Sequence, residues 1–361
     1  MTTARSRAPG RVELLGNHTD YNEGVVLSAA INYTVKAEGE LSGDDSIHLR
    51  SDSFAQEVSV PLDRVVPEAG EQSWVNYPLG VVDALRQEGF EVGGFRMQVT
   101  SDLPPGAGLS SSAALEVATA YLLKSLFSLD LPPMQAARLC RRAENEFVGV
   151  KCGLLDQVSS IFGRVGQAVH LDCRSEQVEN IPLPADAALL VFQCGVPHRL
   201  VGGEYNERRE QCFAAAAALG VRALRDVDST RLEAAHSALD DLVYRRALHI
   251  VGENERVMAG IEHLRRGNAA AFGALMFASH ESSRVNFENS TPELDTLVKL
   301  ARTEPGVLGS RLTGGGFGGA TISLVERARA EEIARSLDRR YHERTGHQGQ
   351  AFICESADGA S

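Results

Sequence analysis

Two glycine-rich segments constrain this chain more than any other feature, because one opens into a helix and the other into a strand. The first, LPPGAGLSSSAA at 103–114, follows a strand-like stretch at 95–100 and precedes apolar residues at helical spacing over 112–126. The second, TGGGFGGAT at 313–321, lies between strand-like segments at 311–313 and 320–325. Its Gly314, Gly316 and Gly319 satisfy G-x-G-x-x-G, but a dinucleotide fingerprint needs a helix directly after the glycines, and ATISLV reads as a strand. It is therefore expected to make a tight strand–strand connection against another backbone or a ligand.

The first segment is an anion cradle in composition. Glycines let backbone approach closely, and a helix start presents free N–H groups with positive partial charge. It is not a Walker A loop: the chain's four lysines are Lys36, Lys124, Lys151 and Lys299, none of them here. The alternative is an ordinary capped helix start, where serine is common. A third polar cluster, PGRVELLGNHTDYNEG at 9–24, runs a short strand into a loop with Asn17, His18, Asp20, Tyr21 and Asn22. Such a set suits sugar hydroxyls, and equally a plain hairpin loop.

Further strands are expected at 11–15, 24–37, 46–49, 57–60, 168–171 and 188–193, and helices at 134–149, 204–219, 240–266, 268–280 and 326–344. Their order lacks regular βαβ alternation, which gives an α+β fold rather than a doubly wound sheet. At 361 residues the chain has room for roughly two domains. The Pro-bearing stretch 181–186 is the expected join, dividing the chain into 1–183 and 184–361. A net charge of −12 speaks against nucleic acid. No apolar run is long enough for a bilayer, and MTTARSRAPGRVELLG has no signal-peptide h-region. The six scattered cysteines suggest neither zinc nor a disulfide framework, and the expected compartment is the cytoplasm.

Together the three segments resemble the GHMP kinase superfamily, and within it the galactokinase family. GRVELLGNHTDYNEG resembles the family's N-terminal signature, LPPGAGLSSSAALEVA its ATP loop, LTGGGFGGATI its third motif, and CGLLDQ the segment with the catalytic aspartate. WVNYPLGV, EYNERREQC, RRALHIVGENERV, FGALMFASHESSR and TPELDTLV also look like the family, in the right order over almost the whole chain.

The resemblance implies a two-lobed fold: an N-terminal domain like the second domain of ribosomal protein S5, packed on a C-terminal ferredoxin-like domain. It implies ATP-dependent phosphorylation of the C1 hydroxyl of D-galactose, with Mg²⁺, by a monomer that binds neither membrane nor nucleic acid. Pro105, Gly106, Ala107, Gly108, Leu109, Ser110, Ser111 and Ser112 would wrap the triphosphate, and Trp74 would line the adenine pocket. Ser112 and Glu144 would hold the metal. Asp156 would assist loss of the C1 proton, with Arg11 beside it to stabilise charge on the transferring phosphoryl group. Asn17, His18, Asp20, Gly153 and Tyr205 would contact the sugar.

Two departures stand out. The family pattern is G-E-H-T-D-Y, its glutamate accepting from the hydroxyl on carbon six, and this chain has Asn17 there. Asn17 could accept through its carbonyl, more weakly than a carboxylate, and would not repel an acid at carbon six. Galactose, a uronic acid, and a 6-deoxy sugar or pentose all remain open. The stretch VNFENS at 285–290 replaces an acidic D-Y-E-V-S, and its effect is open too. A non-catalytic sugar sensor is the competing class; Arg11, Ser112, Glu144 and Asp156, all in place, favour an enzyme.

Overall fold

A computed structural model describes residues 3–196 and 201–361. Among these residues, seven strands form a first sheet: β1 (Thr3–Leu15), β2 (Val25–Leu41), β3 (Ser46–Ser51), β4 (Gln56–Pro61), β5 (Phe95–Ser101), β6 (Gln167–Asp172) and β7 (Gln177–Pro182). Their order is β4-β3-β5-β2-β6-β7, with β1 on β2. All pairs are antiparallel except β3 with β5. The second sheet holds β8 (Ala187–Gln193), β9 (Val307–Thr313), β10 (Ala320–Glu326) and β11 (Gln350–Cys354), in the order β11-β8-β10-β9. That is the ferredoxin-like arrangement, with Ala330–Thr345 as the helix between β10 and β11. The expected α+β class and two-lobed architecture hold.

The lobes share one continuous apolar core. Leu14, Leu27 and Val117 of the first belong to the same cluster as Val191, Ile261, Phe272 and Ile322. The last residues cross back to the first sheet: Ala357 N–H donates to Ala30 O (3.0 Å), and Ser361 N–H to Arg7 O (3.1 Å). Strand β7 extends to Pro182, into the stretch expected as the join.

Local chemistry sets several helix starts. Thr291 caps Pro292–Arg302, which begins with proline at its first position and acids in its first turn. Asp240 and Asn268 cap Asp241–Arg265 and Ala269–Ser282 in the same way. The expected helix over 134–149 is instead an α-helix, Pro133–Arg142, continued by a wider π turn, Ala143–Val148. Such a π turn changes which side chains face inward, and here it buries Glu144.

Candidate active site

The ladder between β1 and β2 shifts register between Pro9 and Arg11, so the strand bends where Arg11 emerges. Arg11 N–H donates to Leu109 O (3.0 Å), tying β1 to the loop before the helix Ser111–Leu126. The Arg11 guanidinium grips Asp156 with Nε and Nη2, each at 2.8 Å, and donates from Nη1 to Gly108 O (2.7 Å). A two-pronged carboxylate contact of this kind fixes both orientation and charge. Asp156 stands on the short helix Leu155–Phe162 and also accepts from the Ser110 hydroxyl.

That last contact has a consequence for the neighbouring helix. Ser110 stands at its N-cap, but its hydroxyl serves Asp156, and no side chain caps the helix. The first-turn amides stay open toward the loop, where Gly106 and Gly108 take positive φ of 71° and 66°. The capped-start alternative is thereby excluded. Ala107 and Leu109 are buried under the loop, Ser111 is exposed, and Pro105 O accepts from Gln193 Nε2 (3.0 Å).

Behind the helix start lie two more carboxylates. Glu144 is buried and accepts from Ser112 and Gln157; burial and the nearby Asp156 charge push its carboxyl up. Glu116 is fully buried, with Oε2 held by Gln157 (3.0 Å) and Oε1 without a hydrogen-bond partner among the described residues. Burial, then Glu144, pushes the Glu116 carboxyl well up. Among the described residues no three His, Cys, Asp or Glu side chains form a ready metal cage. The set instead suits a hard cation that takes one carboxylate and a hydroxyl from protein and its other oxygens from phosphate.

A cavity of about 290 Å³ opens beside the Arg11–Asp156 pair, lined by Glu13, Asn17, His18, Asp20, Gly153 and Tyr205 among others. His18 adopts a left-handed φ of 61°. Its Nε2 meets Gly315 O (2.9 Å), which can only accept, so Nε2 carries the proton and Nδ1 accepts from the Tyr21 hydroxyl (2.9 Å). Burial pushes the ring down to about 4, so it is neutral near pH 7. The Tyr205 ring lies 4.9 Å from it, and Tyr205 also packs against Gly315. Asp20 abuts Gly153 so closely that a Cβ there would stand 1.9 Å from Oδ2, which fixes glycine at 153.

Burial, reinforced by Asp156 and Glu13, raises Asp20 to about 7. With its unfolded value near 4, the folded state holds a proton between pH 4 and 7 that the unfolded state has lost. Above pH 7 the charge must be buried at a cost to stability. Asp20→Asn should therefore raise the melting temperature of the sugar-free protein more at pH 8 than at pH 5. An equal shift at both would overturn this.

The third glycine motif joins both halves of the site. Gly314 packs beside Gly108 O, while Gly315 O accepts from His18 and from Asn289 Nδ2 (3.1 Å). Trp74 is not among the residues lining the cavity: its ring stacks on Phe54 at 5.8 Å and Nε1 donates to Gln56 (2.8 Å). Sequence reasoning missed Glu13, Glu116, Glu253 and Arg311. Glu13, Glu116 and Arg311 are each a lone charge inside a largely apolar pattern, and that was the available signal, whereas Glu253 sits in the polar run GENER and offered none.

The two lobes and the loop geometry define a GHMP kinase: the family of GHMP kinases N terminal domains matches residues 76–164, and that of GHMP kinases C terminal domains 261–343. The galactokinase galactose-binding signature matches residues 2–38. A galactokinase of Roseiflexus sp. (strain RS-1) is 42% identical over 98% of this chain and 91% of its own. One of Chloroflexus aggregans is 41% identical over 99% and 93%. The crystal structure of Lactococcus lactis galactokinase complexed with galactose superposes with a TM-score of 0.96, at 32% identity, covering 99% of this chain and 95% of that one. This chain belongs to the galactokinase family.

Proposed function

We propose that the protein transfers the γ-phosphoryl group of ATP to the C1 hydroxyl of D-galactose. The observation that carries this reading is the Arg11–Asp156 pair, set between the sugar-sized cavity and the uncapped helix start. Asp156 accepts the C1 proton as the C1 oxygen attacks the γ-phosphorus. The bond to the β-phosphate oxygen breaks, and ADP leaves with the electron pair. Arg11 orients Asp156 and offsets charge on the moving phosphoryl group, while the loop 105–112 and the helix amides receive the other phosphates.

Ser112 and Glu144 would hold Mg²⁺, which supplies neutralisation of phosphate charge. The adenine end falls to Trp74 and Phe54: the backbone N–H of Asp52, in the turn before Phe54, donates to Val99 O (3.1 Å) near the end of β5, the strand that runs into the phosphate loop. Asn17, His18, Asp20, Gly153 and Tyr205 shape the sugar site. In this reading residues 1–183 carry the phosphate loop and Asp156, and 184–361 close the cavity with Tyr205 and the glycines. In this reading the protein works as a monomer, as the family resemblance implies, and in the cytoplasm, in keeping with six free thiols. Among the described residues no helix is long and apolar enough to cross a membrane.

ADP release with Mg-ATP should be measured on galactose, galacturonate, 6-deoxygalactose and glucose. Galactose should lead by about tenfold or more, as a site that hydrogen-bonds each hydroxyl rejects analogues lacking one. Binding of galactose without ADP release would make the protein a sensor and sink the reading.

A further inference from the structure

Asn17 has no free polar atom to offer a sugar. Its Nδ2 donates to Gly314 O (2.8 Å) and to both carboxylate oxygens of Glu13 (3.2 and 3.4 Å). Its Oδ1 accepts from Asn289 Nδ2 (2.8 Å) and from the Ser283 hydroxyl (3.5 Å). The side chain is 1% exposed. The acceptor expected at carbon six is therefore already occupied by protein.

The carboxylate has not left the pocket, however. Glu13 precedes Asn17 by one strand-to-loop step and lines the same cavity; its Oε1 takes both Arg311 Nη1 (3.1 Å) and the nearer Asn17 contact (3.2 Å), leaving Oε2 with only the longer contact to Asn17 (3.4 Å). The two departures from the family pattern also meet here. Asn289, within the unusual VNFENS stretch, is the residue that occupies Asn17, and Phe287 of that stretch packs on His18 at 4.7 Å. A loop otherwise remote in sequence thus forms the wall behind the sugar pocket.

We propose that Glu13 is the residue of this chain that accepts the hydroxyl on carbon six of the sugar, with Asn17 acting as a positioning residue clamped by Asn289. A carboxylate at that end of the cavity selects for a primary hydroxyl and disfavours a second carboxylate. The open alternative of a uronic acid is thereby set aside, despite the loss of glutamate at position 17. The inference rests on the galactose reading of the cavity.

The test compares galactose with 6-deoxygalactose, which lacks only the hydroxyl in question. Wild-type turnover on galactose is measured first, so that failure of the galactose reading is seen separately. Glu13→Asp keeps the charge facing Arg311 but withdraws it by one methylene. It should lower kcat/KM for galactose about tenfold or more, mainly through KM, and that for 6-deoxygalactose less than about twofold. Asn289→Ala, which loosens Asn17 without touching the sugar, should lower both sugars alike. Equal losses on both sugars with Glu13→Asp would mean a merely structural role and overturn the proposal. So would a galactose-selective loss with Asn289→Ala instead, or a wild type that prefers galacturonate. Should Glu13→Asp fail to fold, Glu13→Gln with the same two sugars decides between the same outcomes.

Discussion

Asp156→Asn should lower kcat for galactose phosphorylation about a thousandfold while leaving galactose binding within about threefold. The amide keeps an oxygen for Arg11 and fills the same space, so the cavity wall stays in place. What is lost, on the proposed mechanism, is the group that takes the C1 proton, and with it the one negative charge that holds the Arg11 guanidinium, leaving Gly108 O as a neutral partner. Because the chemistry is phosphoryl transfer by positioning, the remaining rate comes from the phosphate loop and the helix amides. Galactose titration by calorimetry and single-turnover ADP release separate the two effects. Equal loss of binding and rate would assign Asp156 to holding the sugar rather than to moving the proton.

Arg311→Met should cost about 3–5 kcal/mol of stability, the usual penalty for leaving a buried charge without its partner. Arg311 lies on β9, is fully buried, and serves Glu13 directly. Its charge also reaches Glu253, a fully buried carboxylate that accepts from the backbone N–H groups of Gly16 and Asn17 at 2.9 Å each. Burial pushes Glu253 up, but Arg256 and then Arg311 outweigh it and hold the carboxyl below its ordinary range. Glu13 is raised by burial and restrained chiefly by Arg311.

Removing Arg311 raises the folded Glu13 value further. A carboxyl whose folded value exceeds its unfolded one contributes stability at acid pH and loses it as pH rises. The deficit of Arg311→Met, read from urea unfolding, should therefore be larger at pH 8 than at pH 5. A deficit below about 1 kcal/mol, or one independent of pH, would mean that Glu13 and Glu253 are compensated elsewhere.

Local order carried most of the identity of this chain. The Pro-Gly-Ser loop before an apolar helix, the glycines before a β-branched strand, and the polar loop after β1 each state a backbone geometry within a dozen residues. Their physics is short-range, so it is readable in sequence: glycine where φ is positive, serine where a helix starts, alternation where one face is buried. The α+β class followed from their order. Shorter signals were missed. The helix Leu155–Phe162 has eight residues, and the π turn at Ala143–Val148 breaks a pattern that reads as continuous helix.

Tertiary structure alone decided what each polar group does. Serine at the start of Ser111–Leu126 looks like a cap, yet its hydroxyl goes to Asp156, 46 residues on, and leaves the helix open to an anion. Asn17 looks like a weakened sugar contact, yet Asn289, 272 positions away, has already taken its oxygen. Glu13 looks like an oddity in a strand until Arg311, 298 positions away, supplies its buried charge partner. A lone charge in an apolar run tells that something buried must pair with it, because burial without a partner is too costly to persist. Which residue answers depends on how two lobes meet around one core, and no local pattern encodes that.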